Sequence, residues 1–274
     1  MKRAPRFLFR GEAVGVAAHI RRPYDLVIPV QASVSLPIIG GGGNSAVKRG
    51  RFGTLLNFDS AVVSTSADYE SPKKAADYTH GKHQDNNLRT TTSVSTEVFN
   101  LSIDSRHRGS RGHTLTVARI AATMESTHQR RPRSQPSFTT RITLEGLAID
   151  GHPFDVTFER GLLKIQTYKS LLAARAKFSA LFEPPPRKGK ECVALTGCSS
   201  FRPSRNCSTA LAAAIRVISP NRVYVEDFGT IYLAEMIVSP VDLRLALLRI
   251  EMGSTVGGEV LIGGLGLDGH DWPP

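Results

Sequence analysis

The chain has 274 residues, 41% of them hydrophobic, with a mean hydropathy of -0.15 and a formal net charge of +11. That length allows a real core, as one large β-domain or two smaller domains, and the composition excludes a disordered chain. No stretch approaches the roughly 18 consecutive apolar residues of a membrane helix; residues 210–218 come nearest and are interrupted by Arg216.

The charge is uneven. Residues 1–150 carry 21 Lys/Arg against 12 Asp/Glu, a net +9, whereas residues 151–274 carry 14 against 12. The N-terminal "MKRAPRFLFRGEAVGV" starts basic, but Arg10 and Glu12 interrupt any signal-peptide core.

Most of the chain reads as strands. "RFLFRGEAVGVAAHI" alternates in part, and "DLVIPVQASVSLP" follows with Val30, Ala32, Val34 and Leu36 on one face. Pro29 and Pro37 make the second an edge or bulged strand, because proline donates no ladder hydrogen bond. Residues 39–51, "IGGGGNSAVKRGR", read as a flexible glycine-rich linker. "FGTLLNFDSAVVSTSA" is the next strand. Residues 67–87 then form a long polar surface loop.

Three more strands come next, "TTTSVSTEVFNLSID", "TLTVARIAATME" and "SFTTRITLEGLAID", each rich in Thr and Val. Asp150-Gly151 is a hairpin turn pair, and Gly146 permits a bulge or bend before it. After Phe158 the pattern changes. Leu171, Ala174, Phe178 and Phe182 lie near helical spacing, so one helix is expected over about 162–182, ended by "EPPP". "STALAAAIRVI" reads as a strand. The C-terminal part returns to strands and closes with "GGEVLIGGLGLDG". The expected fold is therefore mainly β, an antiparallel β-sandwich or barrel with one inserted α-helix.

The order "FRGEAVGV", "IPVQASVSLP", a Gly-rich linker, "TTSVSTEVFNLSI", "TTRITLEGLAIDGHPF", "GTIYLAE" and "GGEVLIGGLG" resembles the choice-of-anchor type β-domains of bacterial surface and secreted proteins. The resemblance spans residues 7–158 and 221–267 and rests most on "GLAIDGHP" and "GTIYLAE". Residues 159–220, with the helix and all three cysteines, stand between its anchors as an insertion. The resemblance implies a surface-displayed, non-enzymatic β-module at the cell surface or outside the cell, and it brings no catalytic residues.

The chemical motifs are sparse. Cys192, Cys198 and Cys207 leave a disulfide with one odd thiol and three reduced thiols both open. Their spacing does not fit a structural zinc site, whose ligands begin two to four residues apart. "GGLGLDGHD" at 263–271 fits most of a calcium nonapeptide, but one copy lacks the stacked neighbour that shares each ion, and His270 stands where an apolar residue belongs. His80 and His83 share a loop without an acidic ligand at helical spacing, and no G-x-S-x-G elbow occurs. No enzyme activity and no cofactor are expected.

Two basic loops remain. Arg106, Arg108 and Arg111 lie in one, and Arg130, Arg131 and Arg133 in the other. They are the candidate contacts for a polyanion or an acidic partner. Both loops flank the strand that begins near 114, so a meander puts them at opposite ends of the sheet, and neither has an aromatic residue for stacking on bases. The function expected is that of a structural or interaction protein, a homo-oligomer or a subunit of a larger assembly. The alternative is a module that binds nucleic acid or an acidic polysaccharide.

Overall fold

The structure is a computed structural model and describes residues 6–69, 89–106, 111–129, 136–164, 167–182, 194–253 and 255–272. Two antiparallel sheets pack face to face as a sandwich around one core. The first sheet runs β12 (Ile215–Ser219), β13 (Arg222–Val225), β14 (Gly229–Val238), β15 (Asp242–Met252), β16 (Gly257–Trp272), β1 (Arg6–Arg22) and β2 (Leu26–Ser35), with β10 (Ala194–Gly197) added to β14. The second runs β11 (Ser199–Pro203), β9 (His152–Phe158), β8 (Ala148–Ile149), β6 (Thr114–Gln129), β5 (Arg89–Asp104), β4 (Leu56–Tyr69) and β3 (Gly41–Phe52), with β7 (Ser137–Glu145) beside β6.

The alternation in the sequence explains the second sheet. Along β4 to β6, Leu56, Phe58, Val63, Val98, Ile103, Leu115, Ile120 and Met124 are each at most 2% exposed, and their neighbours of opposite parity face outward. Burial of such side chains is worth roughly 1.5–3 kcal/mol each, which is what holds a sandwich of this length together.

Proline places β2. It is the last strand of its sheet, and residues 29–30 bulge opposite Ala17, where the register slips between Val16 and Ala18. The bulge turns Val30 to solvent instead of into the row with Ala32.

Three readings of the sequence are corrected. The glycine-rich residues 39–51 are not a linker: residues 41–52 form edge strand β3, paired with β4 along its whole length. The partner strand's backbone supplies the order that glycine composition lacks. The single helix over 162–182 is instead three short pieces: α1 (Arg160–Leu163), α2 (Tyr168–Ala174) and a 3-10 turn at Ser179–Leu181. Thr167 accepts from the Ser170 amide while Ser170 bonds back to the Thr167 amide, so a new helix starts at that capping box. "STALAAAIRVI" is divided as well. Ser208 caps α3 (Thr209–Ala214), and only the residues after it form β12.

Residues 159–220 are also woven into the fold, not set apart from it. β11 extends the second sheet beside β9, while β10 and β12 join the first. Leu162, Tyr168 and Leu171 bury their side chains in the shared core. The polar loop 67–87 lies outside the described residues except for 67–69, which end β4, and so does the "EPPP" stop. Among the described residues no helix is long and apolar enough to cross a membrane.

Candidate functional site

Of the six arginines expected to meet a polyanion, Arg108, Arg130, Arg131 and Arg133 lie outside the described residues. Arg106 is already committed. Its guanidinium donates to both carboxylate oxygens of Asp104, at 2.6–3.1 Å, and to Thr114 Oγ1 at 2.7 Å. Arg111 is exposed. Both basic loops flank β6, which starts at Thr114 and ends at Gln129, so they emerge from opposite ends of that strand.

Asp104 sits in a lattice of bonds that clamps the end of the sandwich. Ser105, 1% exposed, donates to the carbonyl oxygens of His113 and of Asp227, the latter in the first sheet's β13–β14 turn. Asp150 of the hairpin pair accepts from the Thr114 amide at 2.9 Å and meets His113 Nδ1 at 2.6 Å. Asp150 and Gly151 both have positive φ, the conformation a tight hairpin needs. The sequence marked Asp150 as a turn residue; its second role, holding the base of the 105–113 loop, depends on a neighbour 37 residues away.

Burial raises the Asp104 pKa, but hydrogen bonds from the Arg106 side chain and backbone, with the guanidinium charge, outweigh it and hold the carboxyl below its ordinary value of 3.8. A depressed carboxyl stabilises the fold above its unfolded value, and that stabilisation is lost as pH falls through the folded one. Asp104→Asn is therefore expected to lower stability at pH 7 by about 1 kcal/mol, discounted for the exposed Arg106. The difference should shrink in urea unfolding curves below pH 4; a difference that does not change with pH contradicts the ion-pair account.

Cys198 is fully buried, and its thiol donates to the Ala234 carbonyl at 3.2 Å. Burial pushes its pKa up to about 12, and it carries almost no thiolate at neutral pH. Cys207 is half-buried, and Cys198 and Cys207 are both free thiols, not bonded to each other. Cys192 lies outside the described residues. Alkylation of the native protein is expected to modify Cys207 and to spare Cys198 until denaturant is added. Peptide mass mapping checks this, and equal labelling of both would contradict the burial. Among the described residues no three His, Cys, Asp or Glu side chains gather as a metal site. Residues 263–268 of the calcium-like stretch lie in β16, between β15 and β1.

The most elaborate charge network lies on the outer face of the first sheet. Arg249 on β15 grips Glu235 of β14 through two nitrogens, at 2.8 and 3.1 Å, and bonds Glu251 with a third. Its guanidinium lies 3.7 Å from the Tyr232 ring centroid, and Arg222 lies 4.6 Å from the same centroid. The Tyr232 hydroxyl donates to Glu251 at 2.7 Å. Every group has an opposite charge or a ring beside it, so the network fastens β13, β14 and β15 and offers no acid or base poised for reaction.

The second sheet contains a groove that the sequence does not announce. β7 and β9 leave the hairpin together, then part. β7 pairs with β6 alone over residues 137–145. β9 pairs with β8 through His152 and Pro153, the Phe154 amide still donates to the Leu147 carbonyl at 2.9 Å, and from Asp155 onward the strand pairs only with β11 among the described residues. The groove between them has a volume of about 830 Å3 and is closed at its wide end by α1. Ile142, Val156, Phe158 and Leu163 form its half-buried apolar lining, and Arg141, Arg160 and Lys164 are its exposed cations.

The fold defines the class first: an all-β, two-sheet antiparallel sandwich whose surface features are strand edges, a groove and fastening ion pairs. The chain belongs to the family described as Domain of unknown function (DUF8256), whose model matches residues 7–192. No curated protein matches the chain, and no solved structure matches it.

Proposed function

We propose that this protein is a non-enzymatic structural module that assembles with copies of itself or docks into a larger complex through strand edges. One observation carries the reading. The first sheet ends at both sides in strands that present apolar side chains to solvent: β2 with Val27 and Val30, 63% and 48% exposed, and β12 with Val217 and Ile218, 53% and 46% exposed. An uncovered strand edge with exposed apolar residues is a template for pairing with another chain. The two edges differ in sequence and length, so contacts between them are heterologous and can repeat from one subunit to the next. A cell-surface or extracellular residence accompanies this reading through the choice-of-anchor resemblance.

Polyanion binding by the arginine loops is the weaker reading, because Arg106 is spent on Asp104 and the two loops stand at opposite ends of β6.

Light scattering across protein and salt concentration tests the proposal. Regular particles that persist at high salt, and that are dispersed by Val217→Lys with Ile218→Lys, are the expected result. A monomer at every concentration overturns it.

A further inference from the structure

The β7–β9 groove combines two properties that call for the same occupant. The first is backbone. Strand edges hydrogen-bonded on one side only face each other across it, with no ladder between residues 137–145 and 155–158 among the described residues. Backbone N–H and C=O groups on such an edge are satisfied by water or by an added strand.

The second is charge. No residue lining the groove is acidic. Arg141, Arg160 and Lys164 have no ion-pair partner among the described residues, whereas Arg119, on the same outer face as Arg141, is held by Glu97 and Glu145. Two acids adjoin the lining along the chain: Glu159 turns its carboxylate to the Gly161 amide as the cap of α1, and Asp155 is exposed on β9 next to Val156, outside the lining itself.

We propose that the groove binds an acidic, extended peptide segment of a partner protein, added as a strand along β7. Successive side chains of a strand point to opposite faces. A segment that alternates apolar and acidic residues therefore seats one set against Ile142, Phe158 and Leu163 and turns the other toward Arg141, Arg160 and Lys164. The five β7 residues that line the groove, 138–142, span about 13 Å, enough for four or five residues of partner. A phosphate or sulfate chain would meet the same cations, but it would leave the strand edges unpaired and has no use for the apolar lining. This inference concerns the second sheet and stands apart from assembly through the edges of the first, so light scattering and peptide binding fail separately.

The test uses the full chain and a fluorescent hexapeptide alternating valine with glutamate. Binding is read by anisotropy and by hydrogen exchange of the β7 amides. The expected result is binding that slows exchange within residues 138–142. R141E with K164E, at two exposed positions, should weaken it about tenfold at low salt, the scale of two surface ion pairs turned into repulsions. A melting temperature close to wild type for that variant shows that the loss is not unfolding. A control peptide with proline at alternate positions, unable to form a strand, should not bind. The proposal is overturned by absence of binding at millimolar peptide, by binding that leaves β7 exchange unchanged, or by equal binding of the proline control. Heparin that outcompetes the peptide and depends on Arg141 and Lys164 without slowing β7 exchange would make the groove a polyanion site, and that also overturns it.

Discussion

Gly229→Ala is expected to remove about 3–5 kcal/mol of stability, a large part of the 5–15 kcal/mol typical of a folded domain. Gly229 opens β14 with a φ of +129°, a region that L side chains rarely adopt. A methyl group there would also overlap the Glu251 carbonyl oxygen and come within 2.8 Å of Met252 Cα. Both obstacles are backbone atoms of β15, the strand to which β14 is zipped from the Gly229–Met252 pair onward. Relief would require separating the two strands beside Phe228, which is fully buried. Two controls separate strain from overlap. Gly151, at φ +77° with nothing within 4 Å, should cost about 1–2 kcal/mol as alanine, from the left-handed conformation alone. Gly253, whose nearest obstacle is at 3.7 Å, should cost under about 1 kcal/mol. Urea unfolding of the three variants checks the order; a Gly229 variant no worse than the Gly151 variant would show that the strands accommodate the methyl group.

Arg249→Met should cost about 2–3 kcal/mol at pH 7. Removing one member of a well-bonded ion network leaves its partners uncompensated, at about 3–5 kcal/mol when fully buried. That figure is reduced here because Glu251 and Glu259 are about half exposed. In the variant Glu235, Glu251 and Glu259 lose the cation they surround, and Tyr232 keeps only Arg222 over its ring. The cost should depend on pH. Burial raises the Glu251 pKa, but the Tyr232 hydroxyl and Arg249 outweigh it and bring it below the ordinary 4.5. A depressed carboxyl contributes stability that is complete above its unfolded value and is lost as pH falls through the folded one. The wild-type advantage over Arg249→Met should therefore contract progressively as pH falls below 4.5. An unchanged difference at pH 3 and pH 7 would assign the loss to packing of the arginine stem against Tyr232 instead of to charge.

Much of the sandwich was legible because its long strands bury one face. Period-two alternation marks β4, β5 and β6, Pro29 puts β2 at an edge, and Asp150-Gly151 marks the hairpin. The short strands left no such trace. β10, β11 and β12 have four or five residues each, too few for a period to stand out, and β12 follows directly on an alanine-rich helical turn. β3 was hidden by its glycines, since its order comes from β4. The helical pattern after Phe158 was read correctly as a change of structure, but its division at Thr167 depends on a four-residue capping motif inside an apolar stretch. The groove was not legible at all. It arises where β7 and β9 diverge, and its three cations, Arg141, Arg160 and Lys164, are spread over 24 residues of sequence among ordinary strand and helix positions. The basic loops drew attention instead because their arginines are close in sequence, which says nothing about how many are already paired.

β1 and β16 are paired from Arg6–Trp272 to Arg22–Gly257, and β16 is an interior strand of its sheet. β1 therefore waits for β16, which lies far along the chain, before that sheet can close. During translation β1 and β2 form at most a two-stranded ribbon, which is marginal in water. Folding of the first sheet is thus a late event governed by the most distant contacts in the chain. Until it is complete, the β1 edge that β16 will cover is open to any other strand, including the β16 of a neighbouring chain. Exchange of this strand between two copies would bury the same surface without a new contact, so the nascent chain carries its own route to domain swapping.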